Sequence, residues 1–147
     1  MKNFKAFTLT ELMVVVILIG IIAAFALPNY QKAILKAHER DAVVQLTVIH
    51  AALKIYEAQA NTYPEGHFDL TNINTTLGLN VIGNGMRYTY TSLSLGKQFQ
   101  VDAEWHDTAG SANNFTIRVN EEAIDPGTNP NPCCESGKDT CPSLPAC

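Results

Sequence analysis

The chain has 147 residues, which is enough for one domain with an appendage and too few for a multidomain enzyme. It carries 10 Lys and Arg against 14 Asp and Glu, a formal net charge of −4. Because the basic residues are scattered, no phosphate-neutralising surface is evident and we do not expect nucleic acid as a ligand. Apolar residues are concentrated near the N-terminus, since residues 12–27 contain no charged side chain.

The first apolar segment is long enough to cross a membrane. Residues 7–27 would span about 31 Å as a helix, against a hydrocarbon core of about 30 Å. A secretory signal has its small-residue cleavage site after the apolar region, whereas here the small residue, Ala6, precedes it. Lys2 and Lys5 lie before the span, which favours a cytoplasmic N-terminus.

An amphipathic helix is predicted over residues 29–60. Pro28 ordinarily interrupts a helix, but the following residues contain neither Gly nor Pro, so we expect a kink and then more helix. The helical period gives this segment two apolar faces. The first face contains Ala42, Leu46, Ile49, Leu53, Tyr56 and Ala60. The second contains Val44, Val48, Ala51 and Ile55, and because a small domain covers only one side of a helix, it predicts another partner.

Helical periodicity stops after Asn61. Residues 61–85 are predicted to form a connecting loop with one short helical turn near residues 73–77. Alternating residues from Tyr88 onward, a turn at Gly96 and Lys97, and a run to Trp105 predict a β-hairpin.

A further strand is predicted at residues 115–119, whose apolar side chains alternate. We expect three or four antiparallel strands within residues 86–124. Tyr88 and Tyr90 are expected to pack in this sheet rather than to bind DNA or a surface. The fold class is therefore α+β: a long N-terminal helix, first transmembrane and then amphipathic, packed on a small antiparallel sheet.

All four cysteines lie in the Pro-rich segment of residues 125–147, at Cys133, Cys134, Cys141 and Cys147. An even number of cysteines in such a loop predicts two disulfides, and hence export from the cytoplasm. Cys133 and Cys134 do not easily pair with each other. Two arrangements stay open: 133 with 141 and 134 with 147, or 133 with 147 and 134 with 141. A four-thiolate zinc site would need C-x2-C spacing, which is missing, so no metal is expected.

Asp102, Glu104 and His106 alternate along one strand and would share one face. We interpret them as a solvated face rather than as a divalent-metal site. Glu121, Glu122 and Asp125 match no calcium-ligand spacing. Since no Ser/His/Asp or Cys/His arrangement is identifiable, we expect neither an enzyme nor a cofactor.

The N-terminal block resembles the class III signal and N-terminal helix of type IV pilins and type II secretion pseudopilins. It consists of the heptapeptide AFTLTEL at residues 6–12, the apolar stretch, Gly20, Pro28 and Tyr30. The resemblance implies the pilin fold and a leader of residues 1–6. It also implies that a prepilin peptidase cuts between Ala6 and Phe7 and that the new Phe7 amine is methylated. The family usually has Gly at the position of Ala6, and Ile or Val at that of Thr10.

The resemblance also assigns assembly roles to three residues. An ionised carboxylate in hydrocarbon is costly unless paired, and for Glu11 the implied partner is the N-terminal ammonium of a neighbouring subunit. The alternative is that Glu11 only snorkels to the membrane interface. Gly20 and Pro28 bracket a weak stretch of helix that would melt locally on assembly, unless Pro28 is only a kink.

The expected function is that of a structural subunit of a type IV pilus. The apolar helix of residues 7–28 would lie in inner-membrane lipid as a single-pass precursor, and pilus or secretion machinery would then assemble it into a homopolymer outside the cell. Adhesion, motility or DNA uptake would follow from the filament. One alternative is a type II secretion pseudopilin forming a periplasmic piston. Another, from a different class, is an uncleaved, membrane-anchored binding protein.

Overall fold

The computed structural model describes residues 7–106, 114–121, 131–135, 141 and 144–147. The chain divides into two units, Met1–Ile34 and Leu35–Cys147. In chain order the elements are helix α1 (Leu9–Ala60), strand β1 (His67–Asp69), helix α2 (Leu70–Leu77) and strands β2 (Met86–Leu93), β3 (Gln98–Trp105), β4 (Phe115–Asn120) and β5 (Cys133–Cys134). This arrangement confirms the predicted α+β class.

Helix α1 contributes to both units. Its helical assignment includes Pro28, so the helix resumes after the proline as its flanking residues predict. In the second unit, the first apolar face of α1 packs into the core, where Ala42, Leu46, Ile49 and Leu53 are fully buried. The more distal residue Tyr56 is only partly buried and Ala60 is exposed.

The sheet covers this face of α1. Its strand order is β1-β2-β3-β4-β5, with every neighbouring pair antiparallel. Alternate side chains point into the core, as expected for a sheet with one buried face: Tyr88, Tyr90, Val101, Ala103, Phe115, Ile117 and Val119. The buried positions of Tyr88 and Tyr90 agree with their predicted packing role.

The sheet has five strands in the described residues, and three of them lie within residues 86–124, where the sequence predicted three or four. The two additional strands lie at its edges and are only three and two residues long. Segments this short cannot display an alternating pattern, so pairing with β2 and β4 defines them rather than periodicity.

The interval between α1 and β2 contains β1 and a complete helix of eight residues, more than the single turn predicted there. The Asp69 carboxylate caps α2 by accepting a hydrogen bond from the Asn72 amide at 2.9 Å. Gly78 ends the helix in the left-handed conformation with φ of 65°. Ile73 anchors α2 in the core.

The turn between β2 and β3 has an unusual backbone. Ser94, Leu95 and Gly96 have φ values of 51°, 55° and 74°, so the turn begins two residues before the predicted Gly96 and Lys97. Left-handed backbone costs a non-glycine residue about 1–2 kcal/mol. A Cβ atom at position 96 would lie 2.5 Å from Thr62 Oγ1, which explains why a glycine occupies that position.

The C-terminal tail adopts the second of the two predicted disulfide arrangements. Cys133 pairs with Cys147 and Cys134 pairs with Cys141. Neighbouring side chains on a strand point to opposite sides, so the two cysteines of β5 reach different partners. The Cys134 amide donates to Pro145 O and the Cys147 amide to Cys134 O, both at 2.7 Å, which aligns the chain end with β5. Because all four sulfurs are in disulfides, a four-thiolate zinc site is excluded.

Two isoleucines of α1 allow a matched test of this packing. Ile49 is fully buried, whereas Ile55 is 60% exposed. We expect Ile49→Ala to lower the free energy of unfolding by about 2–5 kcal/mol, because it leaves a cavity. Ile55→Ala should change it by less than about 0.5 kcal/mol. Denaturant unfolding of the full chain in detergent, followed by circular dichroism, measures both. Equal losses in the two variants would contradict the assignment of the buried face.

Candidate functional site: the apolar surfaces of the long helix

The first turn of α1 is closed by a reciprocal cap between Thr8 and Glu11. The Glu11 amide donates to Thr8 Oγ1 at 3.3 Å, and Glu11 Oε2 accepts from the Thr8 amide at 2.9 Å and from the Thr8 hydroxyl at 2.8 Å. This is a capping box, and a carboxylate at this end also interacts favourably with the helix dipole. Thr8 is a further residue of this site that was not among the predicted site residues, although T-x-x-E before an apolar run is the sequence signature of this cap.

The other residues expected to act in processing and assembly are only partly described. Ala6 lies outside the described residues, while Phe7 is 81% exposed. A Cβ atom built on Gly20 meets nothing within 4 Å, so no contact within the described part of the chain requires glycine there. For Pro28 the structure gives the helical backbone alone. The roles of these residues therefore stay predictions.

The apolar span is exposed along its whole length. From Leu9 to Ala26 the mean hydropathy is 2.6 and none of these 18 residues is buried. Ile19 is 61% exposed and Ile22 68%. Such a helix is long and apolar enough to cross a membrane, and the free energy of leaving its side chains in water is unfavourable by about 25 cal/mol per Å².

The second apolar face of α1 is also uncovered within the second unit. Val44 is 59% exposed, Val48 is 43% exposed, and Ala51 and Ile55 are exposed as well. These are the residues that the helical period assigned to this face. The sheet thus covers one side of the helix and leaves the other without a partner in the described chain.

A polar cluster fastens the end of α1 to the sheet. Lys54 Nζ donates to Tyr63 Oη at 2.7 Å, and the Tyr63 hydroxyl donates to Glu57 Oε2 at 3.2 Å. Lys54 Nζ also lies 3.9 Å from Glu121 Oε1. Burial, together with the negative charges of Glu121 and Glu57, raises the pKa of Tyr63. A tyrosine held in its neutral form is a structural hydrogen-bonding group here.

The acidic residues of β3 pair with basic side chains. Arg118 binds Asp102 through two hydrogen bonds of 2.8 and 3.2 Å, and it reaches Glu135 at 2.9 Å. The hydrogen bonds to Asp102 raise the pKa of Arg118. Glu104 Oε2 lies 3.5 Å from His106 Nε2. Within the described ranges, no three His, Cys, Asp or Glu side chains are grouped to hold a metal ion. Through its hydrogen bonds to Asp102 and Glu135, Arg118 joins β3 and β4 to the disulfide-bonded tail.

Comparisons with known proteins point to the same N-terminal region. The family model described as the prokaryotic N-terminal methylation motif matches residues 1–27. The chain is 38% identical over 64 residues to the type II secretion system core protein G of Vibrio cholerae, covering 44% of each chain. It is 35% identical over 60 residues to core protein G of Escherichia coli, covering 41% of each. It is 36% identical over 61 residues to the type IV major pilin protein PilA of Myxococcus xanthus, covering 42% of this chain and 28% of that protein.

These matches confirm the resemblance to type IV pilins and type II secretion pseudopilins. Each aligned segment spans less than half the length of the relative it matches. No solved structure matches the chain. Three features therefore carry the similarity to pilins and pseudopilins: the methylation motif, the apolar helix, and the disulfide-bonded α+β unit of Leu35–Cys147, which we call the head.

The half-buried His50 makes the stability of the head depend on pH. Its Nε2 atom has no hydrogen-bond partner among the described residues, and burial, followed by the charge of Lys54, lowers its pKa below 6.5. His50 therefore binds a proton more readily in the unfolded chain than in the folded chain. We expect stability to fall as pH decreases from about 7.5 through 6.5.

Replacement of the histidine tests this dependence. His50→Gln should flatten the slope of the unfolding free energy between about pH 7.5 and 5.5, measured by thermal unfolding of the full chain in detergent. His67→Gln is the control, because His67 is exposed and its Nδ1 lies 2.9 Å from Thr91 Oγ1. An unchanged slope in His50→Gln would contradict the assignment.

Proposed function

We propose that this chain is a non-enzymatic structural subunit of a type IV pilus that polymerises through its N-terminal helix into a surface filament. Processing would occur between Ala6 and Phe7, followed by methylation of the Phe7 amine. The inner membrane would hold the precursor before pilus machinery extracts it. Adhesion, motility or DNA uptake would be properties of the filament.

The observation that carries this proposal is that no residue of the apolar span from Leu9 to Ala26 is buried. A surface of this kind is stable in lipid or against other apolar helices, and unstable in water. A subunit with such a helix can be stored in the membrane and transferred into a helical bundle without large loss of apolar burial. The uncovered second face, from Val44 to Ile55, offers more surface for contacts between copies.

Glu11 gives the proposed bundle a defined register. Its carboxylate lies in the first turn of α1, beside the Thr8 amide, and so at the end where cleavage would create the Phe7 ammonium. In a bundle of apolar helices, a carboxylate and an ammonium would attract each other strongly, because the medium has a low dielectric constant. We propose that Glu11 of one subunit binds the ammonium of its neighbour, since mismatched registers would leave both charges unpaired.

A type II secretion pseudopilin is the second candidate. The relatives named core protein G in V. cholerae and E. coli support it. Their aligned segments cover only about 60 residues, which is the part that pilins and pseudopilins would share. The disulfide-bonded tail favours the pilin by resemblance, since many type IV pilins close their C-terminal region with a disulfide. The oxidising environment does not separate the two candidates, because the periplasm also permits disulfides. The third candidate, an uncleaved membrane-anchored binding protein, would retain residues 1–6 and form no polymer.

Substitutions at Glu11 separate its two roles. Glutamine can replace glutamate in a capping box, so Glu11→Gln keeps the cap and removes only the charge. We expect it to reduce sheared filaments as severely as Glu11→Ala, because removing one member of a buried ion pair costs about 3–5 kcal/mol. Filament yield is measured by shearing and sedimentation, and membrane insertion by fractionation.

Thr8→Ala is the matched control. It weakens the cap by about 1 kcal/mol and leaves the carboxylate in place, so filaments should persist. Insertion into the membrane should be normal in all three variants. Normal filaments from Glu11→Gln, with loss only in Thr8→Ala and Glu11→Ala, would assign Glu11 to helix capping and contradict the pairing role.

A further inference from the structure

Basic side chains are concentrated directly after the apolar span. Three of the eight Lys and Arg residues that follow the span lie within nine positions, at Lys32, Lys36 and Arg40. Residues 41–147 carry only 5 Lys and Arg against 12 Asp and Glu, so the remainder of the head is acidic. A charge asymmetry of this kind, placed beside a membrane span, indicates contact with a membrane surface.

The charges of Lys32 and Lys36 are not compensated by the chain itself. Both residues are exposed, and within the described ranges neither forms an ion pair. The acidic residue nearest to them in the sequence, Glu39, is only 2% exposed, so its carboxylate lies inside the head rather than on the helix surface. The next acidic residue, Asp41, accepts a hydrogen bond from Asn84 Nδ2 at 3.0 Å. The two lysines therefore present positive charge to whatever surrounds this part of the helix.

The distance of these lysines from the span matches the headgroup layer of a bilayer. That polar layer is about 5–8 Å thick on each side of the hydrocarbon core. At about 1.5 Å per residue, α1 allows about 8 Å from residue 27, the end of the apolar segment, to Lys32, and at most about 14 Å to Lys36. Side chains on a helix point back toward its N-terminus, over the preceding turn of about 5.4 Å. Both ammonium groups therefore reach back to the level of the lipid phosphates.

An aromatic residue marks the boundary between the apolar span and these cations. Tyr30 is 66% exposed, and it follows the apolar window that ends at Ala26 by four residues. Tyrosine is enriched at membrane–water interfaces, because its ring is apolar and its hydroxyl group is polar. A tyrosine at the hydrocarbon boundary, followed by lysines, is typical of a helix anchored at the interface. This neighbour favours lipid headgroups, rather than the carboxylates of another protein, as the partner of the lysines.

We propose that Lys32 and Lys36 bind the phosphate groups of anionic lipids at the outer surface of the inner membrane, and so hold the precursor there before assembly. This inference rests on the proposed function, because it names the lipid class that the membrane-stored subunit prefers. An ammonium group donates hydrogen bonds to phosphate oxygens, and each Lys near an anionic surface contributes a preference of roughly fivefold. Extraction of the subunit breaks these contacts, so the lysines add to the free energy that assembly must supply.

Lipid selection by the full chain tests this contact. The protein is purified in micelles that contain equal amounts of phosphatidylglycerol and phosphatidylcholine, and the lipids that it retains are counted by mass spectrometry. Lys32→Gln and Lys36→Gln should each lower the ratio of anionic to neutral lipid by roughly fivefold. About 0.5 M salt should lower the ratio for the unsubstituted chain, because salt screens the attraction. Lys2 and Lys5 add the same background to every variant, so the comparison is made between variants.

Lys97→Gln is the matched control. Lys97 is exposed, and it lies in the turn between β2 and β3. Gly96 attaches this turn to the segment after α1, at the end of the head remote from Lys36, by accepting a hydrogen bond from the Tyr63 amide at 2.8 Å. The lipid ratio of Lys97→Gln should therefore equal that of the unsubstituted chain. Because all the changed side chains are exposed, the unfolding temperature of the head should be the same in every variant.

Three results would overturn the inference and leave the proposed function intact. The first is an unaltered lipid ratio in Lys32→Gln and Lys36→Gln, and the second is an equal decrease in Lys97→Gln. The third is a loss of filaments from the variants at positions 32 and 36 without any change in the lipid ratio, which would assign these lysines to contacts between copies. Failure of the unsubstituted chain to insert into the membrane would instead refute the proposed function, and this inference with it.

Discussion

The apolar surface of α1 is the constraint on which the rest of the structure depends. From Leu9 to Ala26 the helix buries none of its side chains within the chain, so it requires lipid or other helices. Further along, only one face meets the sheet, and Val44, Val48 and Ile55 stay exposed. The stability of the molecule in its working state is therefore a property of its surroundings as much as of its own core, as in proteins that exist in assemblies.

The head has a hydrophobic core of its own, which does not depend on the exposed apolar span. Ala42, Leu46, Ile49 and Leu53 form a stripe buried against a five-stranded sheet, which gives the second unit its own hydrophobic core. Two disulfides connect the last residues to β5, and Arg118 ties β3 and β4 to the same tail. Cross-links of this kind restrict the unfolded chain and suit a small domain in an oxidising environment.

Much of this structure could be predicted from the sequence, because it follows from regular periodicity. The apolar span, the two faces of α1, the β2–β3 hairpin and the alternating residues of β4 all have clear patterns. The sequence did not predict β1, β5 or the full length of α2, since edge pairing and a single cap at Asp69 define these short elements. The choice between two disulfide arrangements depended on how residues 145–147 align with β5. At the N-terminus, the cost of placing a carboxylate in an apolar span indicated a role for Glu11. Its partner Thr8 was also readable from the sequence, because T-x-x-E before an apolar run is a capping-box signature, and the hydrogen bonds of the first turn show this cap.

Processing and assembly can be tested together by the intact mass of the protein in filaments sheared from its native cells, measured without reduction and compared with the membrane fraction. A processed pilin would give a sheared species that begins at methylated Phe7. Its mass should be about 4 Da below that of the fully reduced form, because each disulfide removes two thiol hydrogens. Full-length protein found only in membranes would refute the proposed assembly, since an uncleaved chain would lack the Phe7 ammonium that this assembly requires.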